Sequence, residues 1–151
     1  MTNDLTASGR PYWSSGIQTG FIEQAGAICL RHRKGRAEVL LINGRRTGRW
    51  GIPKGGVELG ESSCEAAVRE AFEEAGVVGI CREPSLGSFS YQKRGKPLPC
   101  RVAVHLIEVS NLENAFPEVH VRTPRWFDAD NAADIVDQAE LREMLRSLVV
   151  R

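Results

Sequence analysis

The chain has 151 residues, of which 42% are hydrophobic and 26% are charged, and its formal net charge at pH 7 is +1. This length suits one compact domain and is short for two. A near-neutral chain has no bulk attraction for nucleic acid or for a membrane surface, so anion binding would have to come from local clusters. We therefore expect no membrane partner and consider nucleic acid an unfavoured ligand, while the oligomeric state is left open.

The N-terminal segment and the cysteines indicate the compartment. Residues 1–20 are polar and lack the apolar region of a signal peptide, and no later run approaches the roughly 18 apolar residues of a membrane span. We expect a polar, flexible segment over 1–20 and a single domain over 21–151. The cysteines stand far apart in apolar stretches, and reduced, buried thiols in a cytoplasmic protein are the simplest interpretation. They are Cys29, Cys64, Cys81 and Cys100.

The predicted elements alternate strands, loops and helices. Apolar, β-rich runs at 24–32 and 37–43 predict two strands joined by a turn, and the glycine-rich segment 44–61 predicts a loop that positions a ligand. A helix is predicted from Ser63 to Ala75, because Ser62 and Glu65 form a capping-box pattern and Gly76 follows as a stop. The remaining predictions are strands at 77–80, 86–91, 101–109 and 125–127, loops at 93–99 and 111–124, and helical structure over 128–150.

The predicted helix carries an unusual acidic cluster. Glu70, Glu73 and Glu74 fall at i, i+3 and i+4, where like charges repel, and at the end of the helix where the dipole favours cations. A solvated acidic face is the ordinary explanation of a charge run. Here the repulsion between the glutamates and the helix dipole both oppose such a face, and Arg69 is the only cation nearby in the helix. We therefore expect a bound Mg²⁺ or Mn²⁺ ion, because hard oxygen ligands suit these metals. The apolar arc beside the glutamates is predicted to pack on the core, and it contains Cys64, Ala67, Val68, Ala71, Phe72 and Ala75.

The segment 55–77, GGVELGESSCEAAVREAFEEAGV, resembles a complete Nudix box, G-x5-E-x7-R-E-U-x-E-E-x-G-U, in which U is aliphatic. Ala71 is small but acceptable at the first aliphatic position. The similarity continues through RWGIPKGG, VAVHLIEV and RWFDADNA, and so covers residues 24–148. It implies an α/β fold, an α/β/α sandwich with a mixed central sheet, in which the box forms a loop-helix-loop motif. The matching positions are Gly55, Glu61, Arg69, Glu70, Glu73, Glu74, Gly76 and Val77.

The resemblance implies an enzyme that hydrolyses a phosphoanhydride in a small organic diphosphate or polyphosphate, with Mg²⁺ as the cofactor and Mn²⁺ as a substitute. Arg69 would orient a metal-binding glutamate and Glu61 would brace the loop, the alternative being a surface ion pair. The general base would be either a box glutamate or a loop acid, for which Glu118 is the candidate. The implied metal ligands are Glu70, Glu73 and Glu74, with the Gly55 carbonyl as an additional ligand.

Basic residues cluster in loops that surround one cleft in the implied fold, which favours a substrate with several phosphates over scattered solubilising charge. The sequence most resembles the diphosphoinositol polyphosphate and diadenosine polyphosphate hydrolase branch. Lys54 in PKGG favours the dinucleoside enzymes, because the inositol phosphate members usually have glycine there. Tyr91 is expected either to stack on a base or to belong to the core. The predicted substrate-binding residues are Arg45, Arg46, Arg49, Lys54, Tyr91, Lys93 and Arg94.

Other functions share the same box. A nucleoside triphosphate sanitising enzyme would need a base pocket that no residue pattern identifies, and an ADP-ribose pyrophosphatase usually carries further motifs after the box. A non-catalytic nucleotide-binding module with the same fold is an alternative of another class, and the intact glutamates argue against it. An RNA-binding or cap-removing protein would carry a broader basic surface and more than 7% aromatic residues.

Overall fold

A computed structural model describes residues 20–45 and 47–149 of the chain. Residues 1–19 of the predicted N-terminal segment 1–20 and the predicted site residue Arg46 lie outside the described residues. None of the helices in the described part is long and apolar enough to span a membrane. The strands are β1 (Ile22–Arg33), β2 (Arg36–Asn43), β3 (Trp50–Gly51), β4 (Lys54–Gly56), β5 (Val77–Cys81), β6 (Gly87–Tyr91), β7 (Cys100–Leu112) and β8 (Arg125–Asp128), and the helices are α1 (Ser63–Ala75), α2 (Ala129–Ile135) and α3 (Ala139–Val149).

The strands form one mixed sheet, with the order β3-β2-β1-β7-β5 along its main path. The central pair, β1 and β7, is parallel, and the other pairs are antiparallel. One half of β1 pairs with β2, while its other half pairs with β4, at Gly26 with Lys54 and Gln24 with Gly56. The predicted loop 44–61 therefore contains the short strands β3 and β4, because segments with little strand character of their own find partners in β2 and β1.

Helices cover both faces of the sheet, as expected for the α/β/α sandwich. Successive side chains of β1 point to opposite faces, so Ala27 packs with α1 while Ile28 packs with α2 and α3. On the α1 face the core consists mainly of small residues, and on the opposite face it is larger and includes Leu141 and Leu145 of α3. The mixed sheet and the two helical layers confirm the predicted fold class.

Helix α1 begins and ends where the sequence predicts. Ser62 Oγ accepts a hydrogen bond from the Glu65 amide at 3.0 Å, a carboxylate oxygen of Glu65 accepts one from the Ser62 amide at 2.9 Å, and Gly76 adopts the left-handed conformation with φ of 71°. A side chain at Gly76 would also collide with the Glu113 carbonyl. These contacts lie within or directly beside the helix, which is why a local pattern could predict them.

The predicted faces of α1 are partly wrong. Val68 and Phe72, predicted to pack on the core, are 37% and 36% exposed, whereas Glu70 and Glu74 are only 8% and 7% exposed. The physical reason is the small size of the alanines that contact the sheet, such as Ala71. They bring the helix axis close to β1 and β4, so the neighbouring glutamates are covered and the larger apolar side chains remain at the edge.

The cysteine prediction is wrong for one pair. Cys64 in α1 and Cys81 at the end of β5 form a disulfide with their Cα atoms 6.1 Å apart, whereas Cys29 and Cys100 are free and buried. The chain returns from α1 directly into β5, which places the last residue of that strand beside the first turn of the helix. The sequence separation of 17 carries no sign of this proximity.

Candidate active site

The candidate site forms where β4 passes under α1. The Lys54 amide donates a hydrogen bond to Glu74 at 3.1 Å, so the backbone of β4 holds this carboxylate directly. At the next position, a Cβ atom on Gly55 would overlap the carboxylate of Glu70. Glycine is therefore needed at 55 because of this close approach, and both buried glutamates are placed over the same strand.

Arg69 contacts both the loop and the helix of the box. Its Nε and Nη2 donate to the two carboxylate oxygens of Glu61 at 2.7 and 2.9 Å, Nη2 also donates to the Gly56 carbonyl at 2.8 Å, and Nη1 donates to Glu70 at 2.8 Å. Because Arg69 donates to Glu61, the pKa of that glutamate is lowered, and the same hydrogen bonding raises the pKa of Arg69. Glu61 therefore fixes Arg69, which in turn fixes Glu70. Glu73 lies further out, 37% exposed at its side chain and 3.5 Å from Arg69 Nη1.

Glu74 is the most electrostatically perturbed carboxylate of the group. Burial raises its pKa from 4.5 to about 7, although Arg122 and the Lys54 amide favour the charged form. Arg122 Nη2 lies 3.4 Å from a Glu74 oxygen. In this structure, arginines therefore compensate part of the charge on all three box glutamates, and Arg122 comes from outside the helix.

Arg122 also connects the loop 113–124 to the site. Its Nε donates to Glu118 at 2.8 Å and its Nη1 to the Asn43 carbonyl at 3.0 Å, while the Glu118 amide donates to the Glu73 carbonyl at 2.9 Å. The structure thus brings Glu118 to the carboxylate cluster. The sequence prediction did not include Arg122 among the site residues, although its i,i+4 spacing from Glu118 was an available signal.

A cavity of about 830 Å³ opens above these residues. Its lining includes the acidic groups Glu70, Glu74 and Glu118, and it also includes cations from three separate loops or strands. Arg49 is additionally paired with Asp137 at 3.0 Å. Among the described residues, the predicted substrate-binding residues that line this cavity are Arg45, Arg49, Lys54, Tyr91, Lys93 and Arg94.

Lys54 and Tyr91 form a polar pair in the cavity wall. Lys54 Nζ lies 4.4 Å from the centre of the Tyr91 ring and donates to its hydroxyl at 3.3 Å, and that hydroxyl donates to Gln24 at 2.9 Å. Burial lowers the pKa of Lys54 and raises the pKa of Tyr91. The ammonium covers one face of the ring, so a base could stack only on the other face. Gln24 was not among the predicted site residues.

The donor atoms suit a hard divalent cation. Two buried carboxylates and an exposed third share one end of α1, and the Gly55 backbone lies against one of them. Oxygen ligands of this kind are typical of Mg²⁺ and Mn²⁺ sites. The contacts of Arg69 and Arg122 would have to rearrange in part to release these oxygens, since both arginines now contact them.

Comparison with known proteins identifies the family. The NUDIX domain model matches residues 21–148. The chain is 33% identical to Nudix hydrolase 21, chloroplastic, of Arabidopsis thaliana over 87% of this chain and 68% of the relative. It is 34% identical to diphosphoinositol polyphosphate phosphohydrolase 3-beta of Bos taurus over 78% of this chain and 70% of the relative. The chain spans about two thirds of the length of such curated relatives.

Solved structures agree with this assignment. The crystal structure of C. elegans Ap4A hydrolase superimposes with a TM-score of 0.69 and 28% identity, covering 83% of this chain and 94% of that one. The fold and the carboxylate cluster define a hydrolase of the kind that the box predicts. The chain belongs to the Nudix hydrolase family, and the resemblance found in the sequence is confirmed.

Proposed function

We propose that the chain is a Mg²⁺-dependent pyrophosphohydrolase that cleaves a phosphoanhydride in a polyphosphorylated small molecule, either a diadenosine polyphosphate or a diphosphoinositol polyphosphate. The observation that carries the proposal is one cavity that joins Glu70 and Glu74 to a mouth containing Arg45, Lys93 and Arg94. A substrate with several phosphates can place one anhydride at the acidic end and its remaining phosphates at the basic end.

The box residues have separate roles in this proposal. Glu70, Glu73 and Glu74 hold the metal with the Gly55 carbonyl, and the bound ion supplies neutralisation of the phosphate oxygens and of the leaving group. Arg69 is a positioning residue, because its contacts with Glu61 and the Gly56 carbonyl set the direction of its contact with Glu70. Mn²⁺ should replace Mg²⁺ at such a site.

The general base is assigned to the acidic cluster around the cavity. Glu118 is one candidate, since its carboxylate lines the cavity and its amide is held by the carbonyl of Glu73. Arg122 Nε donates to that carboxylate at 2.8 Å and holds it at the cavity wall, where it could accept a proton from water. A box glutamate is the alternative, and Glu74 is the candidate because its carboxylate also lines the cavity.

The substrate class follows from the basic residues and is consistent with the relatives. Relatives with 28% identity or more are named for Ap4A and for diphosphoinositol polyphosphate, which both carry several linked or clustered phosphates. Tyr91 lines the cavity beside Lys54, and this aromatic group favours a dinucleotide because it is one on which a base could stack. Nucleic acid and membrane partners remain unfavoured, and a cytoplasmic location remains a prediction from the sequence.

The test compares substrates across matched charge variants. Wild type, Lys93→Ala/Arg94→Ala and the control Arg33→Ala/Lys96→Ala are assayed for kcat/KM on a diadenosine pentaphosphate, a diphosphoinositol polyphosphate and ADP-ribose, with Mg²⁺ and with products identified by mass. Both variants lose two exposed positive charges, but only Lys93 and Arg94 line the cavity. We expect kcat/KM of Lys93→Ala/Arg94→Ala to fall about 10-fold on the two longer substrates and much less on ADP-ribose.

The other outcomes are equally informative. Equal losses on all three substrates in the cavity variant would contradict the choice of a polyphosphate. A matching loss in the control would mean that overall charge, and not the cavity mouth, determines the preference. Hydrolysis of none of the substrates by wild-type protein would favour the alternative that the chain is a nucleotide-binding module.

A further inference from the structure

A second cluster of potential ligands lies at the other end of α1. Cys64 is in the first turn of the helix, Cys81 ends β5, and His105 lies in the middle of β7. Both sulfurs and a ring nitrogen of His105 lie within 4.8 Å of one another. The cluster is largely buried, and His105 is only 3% exposed. Neither the resemblance to the family nor the proposed hydrolysis uses any of these side chains.

The backbone holds one ring nitrogen of His105. Its Nδ1 lies 3.0 Å from the Arg82 carbonyl, and because a carbonyl can only accept, Nδ1 must carry the proton. The tautomer with its proton on Nδ1 has its lone pair on Nε2, which lies 2.7 Å from Ser63 Oγ. Fixing Nδ1–H on a backbone carbonyl so that Nε2 is left to ligate is the usual second contact of a metal-binding histidine.

The two sulfurs can also serve as thiolates. Cys64 lies at the N-terminal end of a 13-residue helix, where the dipole stabilises negative charge. The Arg82 carbonyl oxygen lies 3.9 Å from Cys64 Sγ and 3.7 Å from Cys81 Sγ, so it can accept from either thiol once the disulfide is reduced. Tetrahedral ligands of Zn²⁺ are roughly 3.5–3.8 Å apart, so after reduction the two sulfurs have to move apart by side-chain rotation to hold the ion.

We propose that the reduced form of this cluster is a Zn²⁺ site, formed by the Sγ atoms of Cys64 and Cys81 and by Nε2 of His105, which exchanges its contact with Ser63 Oγ for the metal, with water as the fourth ligand. The disulfide is then the oxidised, metal-free form of the same site. A small-molecule disulfide can interconvert them. The small-molecule disulfide takes up two electrons, its S–S bond breaks and it leaves as two thiolates. The two protein thiolates lose these electrons, form the Cys64–Cys81 bond and release Zn²⁺.

This site is chemically distinct from the carboxylate site. Cys64 and Glu70 are six residues apart in one helix, or about 9 Å along its axis. One end of α1 offers sulfur and nitrogen, which select Zn²⁺, and the other offers oxygen, which selects Mg²⁺. In either oxidation state the first turn of α1 stays attached to β5, through a metal or through a covalent bond.

Cobalt provides a test that does not depend on hydrolysis. Fully reduced wild-type protein, freed of reductant and metal, is titrated with Co²⁺, whose bonds to thiolate give charge-transfer absorption. We expect one equivalent to bind with thiolate bands and to be displaced by Zn²⁺. Cys64→Ser and Cys81→Ser should lose the bands, and His105→Gln should bind Co²⁺ at least about 10-fold more weakly. Cys100→Ala is the control, since that cysteine is also buried but is free, and it should bind as wild type does.

A second experiment uses only the wild-type protein, so it remains valid if a cysteine variant does not fold. Adding a small-molecule disulfide to the Co²⁺ complex should remove the bands, release one Co²⁺ and consume two protein thiols. Reduced wild-type protein without thiolate bands would overturn the proposal, as would bands that persist in folded Cys64→Ser. A failed hydrolysis assay would leave this result unchanged, because the absorption reports sulfur ligation alone.

Discussion

Replacing Glu74 by glutamine should remove a large pH-dependent contribution to the stability of the metal-free protein. Burial raises the pKa of Glu74 from 4.5 to about 7, so between these values the folded chain binds a proton that the unfolded chain does not. The resulting stabilisation is fully present below pH 4.5 and is lost as the pH rises through 7. At about 1.4 kcal/mol per pKa unit, it amounts to about 3 kcal/mol.

Glu74→Gln should lack this dependence. Glutamine is neutral at every pH and keeps an oxygen that can accept from the Lys54 amide, as the glutamate does now. The free energies of unfolding of both proteins are measured by urea denaturation in EDTA, at pH 5 and pH 8. From pH 5 to pH 8, we expect the free energy of unfolding of the variant to rise by roughly 2–3 kcal/mol relative to that of wild type.

Glu73→Gln is the matched control for this experiment. It removes one of the same three neighbouring charges, but from a side chain that is 37% exposed. If both variants gave the same pH effect, mutual repulsion and not the burial of Glu74 would be its cause. A change below about 0.5 kcal/mol in Glu74→Gln would refute the reasoning altogether.

Two further predictions concern the geometry of the carboxylate site. Gly55→Ala should lower Mg²⁺-dependent kcat by at least about 100-fold, because the added methyl group displaces Glu70, whereas a Cβ at neighbouring Gly56 meets nothing within 4 Å and Gly56→Ala should retain activity. Arg69→Lys cannot keep the forked contact with Glu61, so the Mg²⁺ concentration for half-maximal activity should rise about 10–100-fold. Unchanged metal titrations would show that Arg69 does not position a ligand.

The parts of this molecule that the sequence predicted well are those determined by neighbours along the chain. The caps of α1 depend on Ser62, Glu65 and Gly76, all within or beside the helix, and its bounds are as predicted. The family resemblance, and with it the fold, depends on fixed spacings in one short segment. Both kinds of information are present in a single sequence without any knowledge of how distant segments meet.

The predictions that failed involve contacts between distant segments. Which side of α1 is buried depends on how closely β4 approaches, and hydrophobicity alone placed Phe72 on the packed face and Glu70 beside it. The contact of Arg122 with Glu74 joins residues 48 positions apart, and the disulfide likewise depends on where β5 ends. Periodicity within one helix holds no information about these distances.

The parallel pairing of β1 with β7 has a consequence for the order in which the protein is built. Ile22 pairs with Cys100, so β1 must wait for most of the chain to be synthesised before its central partner exists. Strand β5, on which α1 packs, also pairs with β7. On the ribosome, the helix with the box glutamates is therefore synthesised long before the sheet against which it packs. Pairings this distant slow folding, and we expect them to make the candidate active site one of the last regions of the nascent chain to fold.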